Sequence, residues 1–248
     1  MTKRFLKMTW VEMKLFLREP VGVFFTLAFP LMYLFLFGAI SGNEPSPMYG
    51  GQNAIEASIP SLTAMIIGTT GLMSTTITMA TYRESGVLRR LQTTPVSPLF
   101  VMGAQVMVVF LMTLIGTLFL ILAGWLFYGV SMAGNPFSFF LGFLLSSLSF
   151  FGIGFMLAGV MPSARTAQIV GLALLYPMLL LSGAFFPLSL LPTAIQKAAD
   201  YLPMTYVVNL LRGLWAGDPW CGYWLNLIIL IGLLAVGVVV STLTFRWE

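Results

Sequence analysis

Arg83, Glu84, Arg89 and Arg90 stand together in YRESGVLRRLQTTPVSP, residues 82 to 98, of a chain in which only 8% of residues are charged. Apolar Val87, Leu88 and Leu91 are spaced to share one face of a short helix there, while Arg89 and Arg90 project elsewhere. Pro95 and Pro98 close the segment. A helix with an apolar face and a charged flank can dock in a groove on a partner protein, and it can equally lie on lipid headgroups and set topology. The residues alone leave both readings open.

Chemistry that could power work is missing elsewhere. A carrier coupled to protons or sodium keeps an ionisable group within a span. A hydrolase needs a nucleophile with its base, or two facing carboxylates. The long apolar runs hold no acid, base or histidine. A phosphate loop requires lysine after glycine, and none of Lys3, Lys7, Lys14 and Lys197 follows one. The single Cys221 can form no internal disulfide, and with no histidine a Cys and His metal site is excluded. No catalytic residue, metal ligand or directly bound cofactor is expected. Any active process must draw its energy from another chain.

The surrounding elements follow from composition. With 58% hydrophobic residues, the chain cannot dress a globular surface, which takes about 25% charged residues. Roughly 20 apolar residues of helix cross a bilayer. Six such runs occur, at about 21–40, 57–81, 99–127, 137–161, 167–186 and 221–245. Lipid offers no partner to a bare backbone, and the runs lack barrel alternation, so the fold class is an all-α membrane protein. Ten of the twelve basic residues fall on one side of six crossings, which places both termini in the cytoplasm. The net charge of +4 reflects that topology and gives no reason to invoke nucleic acid. The first apolar run has no cleavage pattern and is expected to stay in the membrane. One domain, residues 1–248, is expected.

Two segments should not span. Residues 3–19 place Phe5, Leu6, Thr9, Trp10, Met13, Phe16 and Leu17 on one arc and the basic residues on the adjoining one, so this helix should lie in the membrane surface. Residues 182–220 are apolar but divided by Pro187, Pro192 and Pro203, with Pro192 and Pro203 suited to begin two short helices. They read as re-entrant elements forming an external cap or gate. The hydroxyls of Thr69, Thr70, Ser74, Thr75, Thr76 and Thr78 form no single stripe, so bonding to preceding carbonyls or neighbouring helices is expected. Ser146, Ser147, Ser149, Gly152, Gly154 and Ala158 favour close helix packing. No substrate-binding residue is assigned.

Two blocks carry a resemblance: RESGVLRRLQTTPVSP at 83–98, and SGAFFPLSLLP at 182–192 followed by LPMTYVVNLLRG at 202–213. In order and separation they resemble the ABC type-2 permeases, the membrane subunits of ATP-driven transporters, and particularly the drug and lipophile exporter branch. The resemblance implies a coupling helix at 82–95, marked by Glu84, Gly86, Val87, Leu88, Arg89, Arg90, Leu91 and Pro95, that receives motion from a nucleotide-binding ATPase subunit. It implies an external gate that includes Phe185, Phe186, Pro187, Pro192, Pro203, Tyr206 and Arg212. ATP and Mg would sit on the partner ATPase. Two permease chains, identical or sister, would pair among the lipids of a bacterial inner membrane. The implied function is export of hydrophobic or amphipathic compounds such as drugs, lipids or lipopeptides. The alternatives are export of a lipid-linked glycan or polysaccharide, and a membrane sensor or scaffold without transport. Leu202, Pro203 and Met204 stand where family members often carry Asn-Pro before the Thr-Tyr pair.

Overall fold

The computed structural model describes residues 2–41, 53–87, 98–185, 188 and 191–244. Among them there is no strand, and six helices are long and apolar enough to cross a membrane. The short helix α1 (Thr2–Leu17) leads to the first spanning helix, α2, which begins at Pro20, where a missing N–H costs nothing. Its register opens into a π turn over Phe24–Ala28 before continuing through Phe29–Ser41. Pro30 supplies the reason: it cannot donate to the Thr26 carbonyl, and its ring crowds that oxygen.

The second spanning helix, α3 (Ala54–Glu84), is 31 residues long, or about 46 Å. It outreaches a hydrocarbon core of about 30 Å. The sequence places this span at 57–81, because Glu56 and Arg83 look like boundaries. Both instead lie inside the helix, in its overhanging ends. Asn53 caps the start, its side chain accepting from the Glu56 N–H at 2.7 Å. A second π turn occupies Thr69–Ser74. There the Thr75 hydroxyl donates to the Thr70 carbonyl at 2.9 Å, five residues back.

The remaining helices are α4 (Pro98–Tyr128), α5 (Pro136–Val160), α6 (Ala164–Leu181), α7 (Thr193–Ala199), α8 (Pro203–Ala216) and α9 (Trp224–Thr244). Helix α6 stops five residues before the expected Phe186, because the chain turns through Gly183 at φ +83°, where side chains other than glycine are strained. Pro203 does open α8, whereas Pro192 caps α7 from just outside.

Helix α3 is the centre of the bundle. In its most apolar stretch 89% of residues are buried, against 22% for α2, 22% for α6 and 17% for α9. Backbones approach closely around it. A Cβ added to Gly154 of α5 would stand 2.0 Å from the Gly71 carbonyl oxygen of α3, and one added to Gly237 of α9 would stand 2.6 Å from the Gly152 carbonyl carbon. Glycines therefore let α5 pack against both neighbours, as small residues do where lipid removes the hydrophobic drive for helix association. Four of the six α3 hydroxyls, those of Thr69, Thr70, Thr75 and Thr76, bond to carbonyls as the sequence implies. Thr69 and Thr70 donate to Ile66, Thr76 donates to Leu72 and also to Gly154, and Ser149 donates to Leu145 and across to Leu230 of α9.

Helix α8 is more deeply placed than a loop element. Val207, Val208, Leu210, Leu211, Leu214 and Trp215 all belong to the main core. Trp215 meets Phe139 of α5 edge to face, with centroids 5.4 Å apart. The Gly134 N–H donates to the Trp215 carbonyl at 2.9 Å, satisfying one of the open acceptors at the end of α8.

Candidate functional site

Arg83 and Glu84 occupy the last turn of α3, and each reaches a different helix end. The Arg83 guanidinium donates to the Gly159 carbonyl at 3.0 Å, in the final turn of α5. The Glu84 carboxylate accepts from the Ala164 N–H at 2.9 Å, the first residue of α6. A cation on carbonyls and an anion on an N–H is the arrangement that complements both helix dipoles. Ser163 adds its own cap, accepting from the Thr166 N–H at 3.2 Å. The end of α3 is thus fastened to the turn between α5 and α6. Sequence reading did not find these backbone partners, which lie 76 and 80 residues away from Arg83 and Glu84.

Beyond the clasp the chain turns at Gly86, with φ +68° and nothing within 4 Å of an added Cβ, before reaching Val87. Leu88, Arg89, Arg90, Leu91 and Pro95 lie outside the described residues. The described part separates the predicted coupling residues into two groups. Glu84 belongs to a spanning helix, while Val87 follows the turn.

At mid-bundle the two π turns help wall an apolar cleft of about 40 Å³ between α2, α3 and α6. Phe25 and Phe29 line it from α2, Met65, Thr69 and Met73 from α3, and Leu175 and Tyr176 from α6. π turns free backbone groups and recur at functional sites. Phe185, a predicted gate residue, also lines the cleft and packs against Tyr33 with ring centroids 5.1 Å apart.

Two more of the predicted gate residues, Tyr206 and Arg212, take part in a polar clamp near the ends of α6 and α8. Arg212 donates from Nε to the Ser61 hydroxyl at 2.8 Å and from a terminal nitrogen to the Gly183 carbonyl at 2.7 Å. It joins α8 to α3 and to the turn that ends α6. The Tyr206 hydroxyl donates to the Asp200 carbonyl, and the Tyr206 carbonyl accepts from Asn226 of α9 at 2.9 Å. Asn209, Arg212, Asp218, Tyr223 and Asn226 line a polar hollow of about 400 Å³ beside this clamp. Pro192 and Pro203 act through helix geometry, whereas Phe186 and Pro187 lie outside the described residues.

Comparison with known proteins agrees with this architecture. The chain is 25% identical over 222 residues to the putative transport permease ycf38 of Cyanophora paradoxa, covering 86% of this chain and 73% of that protein. It is 25% identical over 178 residues to the probable multidrug ABC transporter permease YbhR of Escherichia coli K12, covering 69% of this chain and 48% of that protein. Over 102 residues it is 31% identical to nodulation protein J of Rhizobium leguminosarum bv. viciae, covering 41% of this chain and 39% of that one. The chain thus spans less than half the length of the latter two relatives. The pattern of the ABC-2 type transporter family matches residues 3–215, and the chain belongs to that family of multi-pass membrane permeases.

Proposed function

We propose that this chain is the membrane-spanning half of an exporter of hydrophobic or amphipathic compounds, driven by ATP hydrolysis on a separate nucleotide-binding subunit. The observation that carries this reading is the Arg83 and Glu84 clasp, which fastens the end of α3, where the chain leaves for Gly86 and beyond, to α5 and α6 at once. A push on residues 87–95 acts on α3 and α6, two of the three walls of the apolar cleft. At about 40 Å³ the cleft is too small for such a solute as it stands, and its aromatic and thioether lining suits oily solutes of varied shape once its walls part. The multidrug name of one relative agrees with that substrate class.

The excess of basic residues at the end holding α1 and the clasp supports cytoplasmic termini, and the Rhizobium and Escherichia relatives support a bacterial inner membrane. Helix α1 lies in the membrane surface in this reading, with Leu6, Trp10 and Leu17 exposed for contact with lipid. Helices α2 and α6 flank the cleft and leave Met32, Leu36, Ile169 and Leu180 exposed, so a second permease chain could cover them and complete the pathway. Phe185 and Arg212 form the external gate, the first in the cleft lining and the second in the polar clamp. The polar hollow beside Asn209 and Asp218 favours a second reading, export of a lipid-linked glycan. Transport of a hydrophobic dye against a lipid-linked oligosaccharide by the same vesicles separates the two.

The coupling assignment has its own test. Leu88→Asp with Leu91→Asp places two charges on the stretch that the sequence pattern makes an apolar face. Recovery of the ATPase with the affinity-purified permease is expected to fall at least tenfold, with the permease still eluting as a single species. Undiminished recovery removes residues 82–95 as the ATPase contact.

A further inference from the structure

A second cavity, of about 190 Å³, lies apart from the cleft and the hollow, between α1, α3 and α4. Glu12 and Glu19 line it from the amino-terminal region, Thr78 and Tyr82 from α3, and Gln105 from α4. Leu15, Phe16 and Ile77 supply an apolar wall. Glu12 is buried, 7% exposed, and accepts a hydrogen bond from the Tyr82 hydroxyl. Glu19 has neither a hydrogen bond through its side chain nor a salt bridge among the described residues. Gln105 is only 3% exposed, lines the cavity, and its amide has no hydrogen-bond partner among the described residues. A buried amide left open toward a space walled by two acids is costly unless something occupies that space.

The lining identifies the occupant's chemistry. Burial raises the Glu12 carboxyl above the usual carboxylate range, opposed by the Tyr82 hydrogen bond, and burial likewise raises Glu19. A cation offsets that cost by restoring a counter-charge. A bare metal ion is poorly served here, since no three His, Cys, Asp or Glu side chains gather to hold one among the described residues, and it leaves the Leu15, Phe16 and Ile77 wall unused. For scale, an apolar cavity of about 150 Å³ holds benzene.

We propose that this cavity is a binding site for an organic ammonium ion. The ammonium lies between Glu12 and Glu19 and donates to the Gln105 amide oxygen, while its carbon body rests on Phe16, Leu15 and Ile77. The site is distinct from the transport cleft and stands whether or not the export reading holds.

Binding of benzylammonium and of dodecylammonium to the full-length purified permease in nanodiscs tests it, with benzyl alcohol and dodecanol as neutral counterparts. At least one ammonium is expected to bind tenfold or more tightly than its alcohol. The tighter of the two identifies the source, aqueous for benzylammonium and bilayer for dodecylammonium. Glu12→Gln and Glu19→Gln should each weaken binding at least fivefold. Because Glu12→Gln also disturbs the contact with Tyr82, Glu19→Gln is the decisive variant. In the unaltered protein, dicyclohexylcarbodiimide should label Glu12 or Glu19, located by peptide mass spectrometry, and the bound ammonium should slow that labelling. Equal affinity for ammonium and alcohol, no binding at millimolar probe, unchanged affinity in folded Glu19→Gln, or labelling indifferent to the ammonium overturns the proposal.

Discussion

Gly154→Ala is expected to destabilise the protein by about 3 kcal/mol, the upper end of ordinary overpacking costs. The added carbon would lie 2.0 Å from the Gly71 carbonyl oxygen and 3.1 Å from Thr75 Cβ. The first of those neighbours is backbone, so no rotamer change relieves the clash, and α3 and α5 must separate. Separation also breaks the Thr76 hydrogen bond to the Gly154 carbonyl. Helix propensity favours alanine by only about 1 kcal/mol and cannot compensate. The measurement is the thermal midpoint of the detergent-solubilised protein, followed by size-exclusion fluorescence. Gly232→Ala is the control, since nothing lies within 4 Å of a Cβ there. Its midpoint should match or slightly exceed the parent's, since propensity acts there unopposed, and an equal fall in both variants would deny the backbone contact its role.

Arg212→Leu is expected to cost a similar amount, about 3 kcal/mol, through a different cause. Hydrogen bonds from a charged donor contribute about 1.5–3 kcal/mol each, and this side chain makes them to Ser61 and Gly183 together. Ser61 keeps its bond to the Ala57 carbonyl, which moderates the loss. Arg212→Lys should recover less than half, because an ammonium is a point donor and cannot span two acceptors as a planar guanidinium does. Hydrogen exchange over residues 193–216 reports the effect locally. Full rescue by lysine would mean that charge alone matters at this position.

The spans were legible because a bilayer demands about 20 apolar residues in a row, and that demand is local. The ends were harder. Glu56 reads as a loop acid until Asn53 is seen three residues earlier, the cap that lets α3 begin before it. The overhang at the other end was hidden for a related reason. Arg83 and Glu84 look like loop charges by composition, and only tertiary contacts to Gly159 and Ala164 keep them helical and useful. Gly183 carried a readable stop signal for α6, which the structure obeys and which the apolar run continuing past it obscures in the sequence. The depth of α8 was not legible, since a proline-bounded apolar helix of 14 residues suits either a surface anchor or a core element. The pairing of Glu12 with Tyr82 joins residues 70 apart in sequence, and no periodicity announces it.

Reconstitution separates a permease that depends on an ATPase from one that moves solute unaided. The purified permease is placed in liposomes alone, and in parallel with the ATPase recovered alongside it, and ATP-dependent accumulation of a hydrophobic fluorescent dye is followed in both. Concentrative uptake is expected only when the ATPase is present, and none by the permease alone under ATP or an imposed proton or sodium gradient. Uphill movement by the permease alone under either energy source would show that the chain carries its own motor.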